Sequence, residues 1–148
     1  MDWHIKTFHE LTNDDLYALM KLRVDIFVVE QDCPYPELDG YDQQAVHYFS
    51  KIDHDIAANV RILPRNTKFA EPSIGRVAVA EKFRGHGYGR EIMQKAIDYI
   101  ANQWHEREIK IEAQEHLKQF YSELGFRQNS EPYLDDGIPH IDMIWKRN

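Results

Sequence analysis

The apolar residues Leu16, Leu19, Met20, Val24 and Phe27 recur at steps of three and four. This is the stripe of an amphipathic helix, which the spacing carries to about residue 28. Thr12-Asn13-Asp14-Asp15 precedes it as a capping box, a side-chain acceptor followed three residues later by an acid. Residues 3–8 read as a short strand. Residues 30–42 break the periodicity with Pro34, Pro36, Gly40 and the acids Glu30, Asp32, Glu37, Asp39 and Asp42, the composition of an irregular, exposed loop. Residues 46–52 and 56–63 are strand-like runs separated by Asp53-His54-Asp55, which predicts an antiparallel hairpin. Residues 64–72 form a second polar loop.

From residue 74 to 79 β-branched positions predict a strand, which leads through Glu81-Lys82-Phe83 into a glycine-rich turn. Ile92, Met93, Ala96, Ile97, Ile100 and Trp104 then mark a long amphipathic helix. Residues 109–113 are the next strand, followed by a short helix with Leu117, Phe120, Tyr121 and Leu124 on one face and Gly125 as its stop. Two terminal strands lie near residues 126–129 and 140–146. This order predicts an α/β fold with a mixed central β-sheet flanked by helices on both faces, and the 148-residue length suits one domain over residues 1–148.

Composition narrows the function. With 43% hydrophobic residues and 18 aromatic ones (Trp 3, Tyr 8, Phe 7), the chain is globular rather than disordered. Its net charge of -7 speaks against a nucleic-acid surface and leans toward a cationic small partner. No apolar run approaches the roughly 18 residues of a membrane span, and the first residues lack a signal-peptide pattern. With the single cysteine Cys33 these features predict a cytoplasmic protein without a disulfide. Eight histidines are present, but none is paired at the spacing that sets two metal ligands on one helical face, so no metal site is expected.

Arg84-Gly85-His86-Gly87-Tyr88-Gly89 carries the chemistry. Phosphate oxygens need donors that approach closely, and main-chain N–H groups at a helix start supply them with a favourable dipole. Glycines at 85, 87 and 89 permit positive φ and let a ligand touch the main chain, while Arg84 and Arg90 add positive charge. A plain strand-to-helix turn would use the same residues. Residue 90 is Arg, so the spacing fails the dinucleotide fingerprint Gly-x-Gly-x-x-Gly, and it also fails the phosphate loop that ends in Gly-Lys-Ser/Thr.

The turn resembles the signature of the GNAT superfamily of N-acetyltransferases, Arg/Gln-x-x-Gly-x-Gly/Ala. Arg76-Val77-Ala78-Val79 is similar to that family's central strand, and Phe120-Tyr121-Ser122-Glu123-Leu124-Gly125-Phe126 to its Phe-Tyr-x-x-x-Gly-Phe helix end. Phe27-Val28-Val29-Glu30-Gln31, Cys33-Pro34-Tyr35, Leu38-Asp39-Gly40-Tyr41-Asp42 and Asp136-Gly137-Ile138-Pro139-His140 resemble the ElaA-like subgroup. The resemblance implies acetyl-CoA as co-substrate and a primary amine of a small molecule or protein as acceptor. The main chain of Val77, Ala78 and Val79 would bond the pantetheine amides as an added strand does. The diphosphate would sit on Arg84, Gly85, His86, Gly87, Tyr88, Gly89 and Arg90.

The resemblance further implies Tyr121 as the acid for the departing thiolate. From spacing alone Tyr121 reads as a core aromatic beside Leu117, Phe120 and Leu124. Gln114 stands where relatives carry a cofactor-binding asparagine, one methylene shorter. The glutamate that some relatives place five residues earlier is here Ile109. That leaves Glu112, Glu30, Asp39, His47 and His140 open as the general base. Glu30 and Asp39 are expected to form an acidic collar that recruits the amine. A non-catalytic acyl-CoA sensor or an interaction domain is the alternative, and dimerisation through an edge strand stays open.

Overall fold

The computed structural model describes residues 1–147. An eight-stranded sheet runs β1 (Asp2–Thr7), β2 (Val46–Ile52), β3 (Asp55–Leu63), β4 (Ser73–Val79), β5 (Glu108–Gln114), β8 (Ile138–Lys146), β6 (Phe126–Gln128), with β7 (Tyr133–Asp135) also paired to β8. All neighbours are antiparallel except β4 and β5. The hairpin expected between the second and third strands forms, and Asp53 and His54 hold positive φ of 50° and 71° at its turn, the conformation that matches strand twist. The three-residue β7 is too short to leave a period in the sequence.

Helix α1 (Asn13–Val24) begins where the cap predicts, with Thr12 Oγ1 accepting the Asp15 N–H at 3.1 Å. Only half of the capping box forms, because the Asp15 carboxylate turns instead to Lys51 at 2.7 Å. The α-helix stops at Val24 and continues as a π-helical turn, Asp25–Glu30, a feature found often at functional sites. On this face of the sheet α1 buries Leu19 against Phe49 and Ile56.

Helices α2 (Tyr88–Asn102) and α3 (Lys118–Glu123) cover the opposite face. There Ile92, Met93, Ala96, Ile97 and Ile100 meet the inward positions of β2 to β5 and β8 in the main core. Strand alternation follows: Ile109, Ile111 and Ala113 point into that core and Lys110, Glu112 and Gln114 to the α1 side. Gly125, at φ 102°, ends α3 where a Cβ would stand 3.0 Å from the Trp145 ring. No helix among the described residues is long and apolar enough to cross a membrane.

Candidate functional site

The site begins where the sheet comes apart. β4 and β5 pair only at Ser73 and Lys110, supported by Lys110 N–H donating to the Pro72 carbonyl at 2.9 Å. Beyond that point the parallel strands diverge and the β5-facing edge of β4 has no partner strand. Asn59 pairs with Ala78 but Arg61 with Gly75, so Arg76 and Val77 together oppose Val60 in a β-bulge. Arg76 takes φ 52° there, an uncommon conformation for a residue with a side chain.

Its anchors are specific. Asn59 Nδ2 donates to the Arg76 carbonyl at 3.2 Å, Arg76 Nε donates to Glu37 Oε2 at 2.7 Å, and Nη2 reaches Glu37 O at 3.1 Å and Asp39 Oδ2 at 3.2 Å. Bulges bend a strand and raise its twist, and this one lies where the two strands begin to separate.

A cavity of about 580 Å³ fills the gap between β4 and β5. Of the residues expected from sequence, Val77, Ala78, Val79, Arg84, Gln114, Tyr121 and Glu30 line it. The Arg84 Nε–H donates to the Val79 carbonyl at 3.0 Å, which ties the strand end to the glycine turn. Gly85, His86, Gly87, Tyr88, Gly89 and Arg90 lie outside the cavity lining at the start of α2, with Gly85, His86, Gly87 and Arg90 exposed, Gly89 half-buried and Tyr88 half-buried against the main core. Gly87 is the helix N-cap at φ 78°, with no atom within 4 Å of where a Cβ would be. The need for glycine there is conformational, and the space above it is free for a ligand. Past this cap the first N–H groups of α2 lack intrahelical acceptors.

Tyr121 is half-buried between α3 and the cavity, edge-on to Phe120 and Phe126. Its hydroxyl has no hydrogen-bond partner among the described residues, and burial pushes its pKa up to about 12. Gln114, at the end of β5, donates to Gln31 Oε1 at 3.3 Å.

Glu30 and Asp39, expected to form an acidic collar, are both paired with arginines. Both oxygens of Glu30 accept from Arg84, at 2.5 and 2.7 Å, and these bonds hold its carboxyl below the ordinary range. Asp39 accepts from Arg61 Nη1 at 2.7 Å and Nη2 at 2.9 Å, and from Arg76. It belongs to a network in which Arg23, wholly buried on α1, is gripped by Glu37 Oε2 and Asp42 Oδ1, each at 2.7 Å. Tyr35 O–H also donates to Glu37. Three arginines thus meet three carboxylates beneath the loop read as solvated. Arg84 and Arg90 are likewise paired rather than free, with Glu30 and Glu123.

Burial alone would raise the Asp39 carboxyl, but the bonds and charge of Arg61 outweigh it and bring the pKa from 3.8 to about 2. A carboxyl held lower in the folded chain than in the unfolded one stabilises the fold above the unfolded value and loses that contribution on protonation. Folding stability is therefore expected to fall as pH drops from about 4 toward about 2. Thermal melts between pH 5 and 2 check this, and Asp39→Asn should show a shallower fall over that window.

The structure separates the five candidate bases. His47 is fully buried away from the cavity with Nε2–H donating to the Asp42 carbonyl at 3.0 Å, and burial lowers its pKa. Asp39 lies in the arginine network and Glu30 is occupied by Arg84. Glu112 and His140 line the cavity, on the α1 side of the sheet. Sequence reasoning missed Lys68 and Phe69 from the second loop, Tyr133, and Asp135 and Asp136 at the β7–β8 turn. All but Tyr133 line the same space, and Tyr133 O–H reaches Asp142 Oδ1 at 2.5 Å and Glu112 Oε2 at 3.2 Å. The cavity thus runs through the sheet, with Tyr121 on the α3 side and Glu112, His140 and Lys68 on the other.

Comparison with known proteins agrees with this architecture. Residues 23–147 match the family model of the acetyltransferase (GNAT) domain. Protein ElaA of Escherichia coli is 37% identical over 145 residues, 97% of this chain and 95% of that protein, and its crystal structure superposes with a TM-score of 0.91, covering 99% and 100% of the two chains. An acyl-CoA N-acyltransferase from Pseudomonas aeruginosa is 38% identical with a TM-score of 0.93, over 97% and 98% of the two chains. A GNAT family acetyltransferase from Elizabethkingia anophelis, solved with acetyl-CoA bound, shares the fold at 20% identity and a TM-score of 0.64, over 99% and 97%.

Proposed function

The chain belongs to the GNAT acetyltransferase family, and on that premise we propose that it transfers the acetyl group of acetyl-CoA directly to a primary amine. The observation that carries this reading is the splayed gap between β4 and β5, open from Tyr121 on one face of the sheet to an ionisable cluster on the other. A linear thioester arm can enter from the α3 side, and an amine can meet its carbonyl from the α1 side.

The unpartnered edge of β4 at Val77, Ala78 and Val79 offers main-chain donors and acceptors to the pantetheine amides. The glycine turn and the first N–H groups of α2 offer a cradle for the diphosphate. Arg84 and Arg90 would exchange Glu30 and Glu123 for phosphate oxygens. Gln114 at the cavity wall adds an amide contact. That the Elizabethkingia relative binds acetyl-CoA supports this choice of acyl donor.

Tyr121 O–H points its role at the departing sulfur. At a pKa of about 12 it is protonated at any working pH. A thiol ionises near 8.5, so complete transfer of the phenol proton to thiolate would cost about 5 kcal/mol. The hydroxyl is better suited to stabilise the thiolate by hydrogen bonding while C–S breaks, with solvent supplying the final proton. Asp135 and Asp136, which also line the cavity, would add to the acidic charge offered to a cationic acceptor.

Release of free thiol from acetyl-CoA across a panel of small amines and amine-bearing peptides tests the assignment. Amine-dependent release supports it. Binding of acetyl-CoA without release in the presence of any amine would favour an acyl-CoA sensor instead.

A further inference from the structure

An acyl transfer to an amine needs a lone pair that can take the nitrogen's proton, and the groups around the acceptor side of the cavity differ in how that lone pair is held and partnered. Glu112 Oε1 is 3.0 Å from Lys68 Nζ, which holds the carboxylate in an ion pair, and its Oε2 lies 3.2 Å from the Tyr133 hydroxyl, whose shorter bond is to Asp142 Oδ1 at 2.5 Å. Glu30 is paired with Arg84 and comes free only when Arg84 turns to the diphosphate, with no other hydrogen-bond partner among the described residues to aim it at the acceptor.

His140 is different. It follows Pro139 on β8, opposite Gln114 in register, and lines the cavity. Its Nδ1 lies 2.7 Å from the Ile138 carbonyl oxygen. A carbonyl only accepts, so Nδ1 carries the proton and the lone pair of the neutral ring resides on Nε2. Nε2 has no hydrogen-bond partner among the described residues. The ring is further held by stacking on Tyr133, centroids 6.2 Å apart, and Tyr133 is itself fixed by Asp142 and Glu112. Tautomer and ring plane are thus set before any substrate arrives.

Resting on the acetyl-transfer reading, we propose that His140 is the general base, with Nε2 accepting the proton of the attacking amine. The neutral amine nitrogen forms the N–C bond and gives one proton to Nε2. The C–S pair leaves with sulfur beside Tyr121 O–H. The imidazolium returns its proton to solvent and the thiolate takes one from it, so one hydrogen replaces the acetyl group on sulfur. Ionisable groups that share the cavity or pack on the ring include Glu112, Asp135, Asp136, Lys68 and Tyr133, with Asp142 bonded to Tyr133.

His140→Asn tests this, since the Asn amide can still donate to the Ile138 carbonyl but offers nothing at the Nε2 position. With an amine that the unmodified protein acetylates, kcat at saturating amine is expected to fall on the order of 10²-fold. The acidic limb of kcat against pH should vanish, with acetyl-CoA affinity by calorimetry unchanged. Glu112→Gln should keep that limb. The unmodified protein also permits a test without substitution: the ring ¹⁵N chemical shifts of His140 above pH 8 should report the Nδ1–H tautomer. Unchanged kcat or a surviving limb in His140→Asn, loss of the limb in Glu112→Gln, or an Nε2–H tautomer would each overturn the proposal while leaving acetyl transfer intact. An unmodified protein that turns over no amine would remove the acetyl-transfer reading itself, and this assignment with it.

Discussion

Replacing Glu37 with Ala is expected to cost about 3–5 kcal/mol of folding stability, the range for breaking a buried ion pair from one side. Glu37 is 4% exposed, and its Oε2 is bonded at 2.7 Å to both Arg23 Nε and Arg76 Nε. Truncation would leave the wholly buried Arg23 with Asp42 as its one carboxylate partner among the described residues and free Arg76 from one of the anchors that hold its positive φ. Domains are commonly stable by only about 5–15 kcal/mol, so the melting temperature should drop by about 10–20 °C. Thermal and urea unfolding of Glu37→Ala measure this directly. A loss under about 1 kcal/mol would mean that the 30–42 loop is solvated after all and does not hold the β4 bulge.

Replacing Tyr121 with Phe should lower kcat on the order of 10²-fold, the usual cost of removing one positioned hydrogen-bond donor from a developing negative charge, and leave acetyl-CoA affinity within about two-fold. The substitution removes only the hydroxyl, which has no partner among the described residues, and keeps the edge-on contacts to Phe120 and Phe126 at 5.0 and 6.1 Å. A fall in kcat without a change in binding separates a role at the sulfur from a role in packing. Unchanged turnover in the thiol-release assay would leave Tyr121 as a core aromatic.

The strand-turn-helix unit around Gly87 was legible because its signals are local: apolar periodicity on both sides and glycine where φ must be positive. The hairpin and α1 were legible for the same reason. The bulge was not, since Arg76 is not a residue type that advertises a left-handed conformation, and its anchors Asn59, Glu37 and Asp39 are distant in sequence. The acids of residues 30–42 looked solvated because their partners Arg23, Arg61 and Arg76 lie in other elements. A signal did exist: Arg23 falls on the apolar stripe of α1, and Arg61 stands within the apolar run of β3. A charge at a position whose periodicity demands burial asks for a buried counter-charge, and the acidic loop was the nearest large supply. For the base, sequence offered five residues of suitable type. Only hydrogen-bond accounting, which needs coordinates, showed which of them is held in one tautomer with a ring nitrogen left unpartnered among the described residues.

The cradle at the start of α2 and the parted strands β4 and β5 together carry the functional assignment, and calorimetric titration with acetyl-CoA tests them most directly. The unmodified protein is expected to bind one acetyl-CoA per chain, and Gly87→Val, which forces a β-branched residue to φ 78° at a cost of about 1–2 kcal/mol and displaces the first N–H groups of α2, to bind at least about ten-fold more weakly. Absence of binding by the unmodified protein, or equal affinity in Gly87→Val, would contradict it.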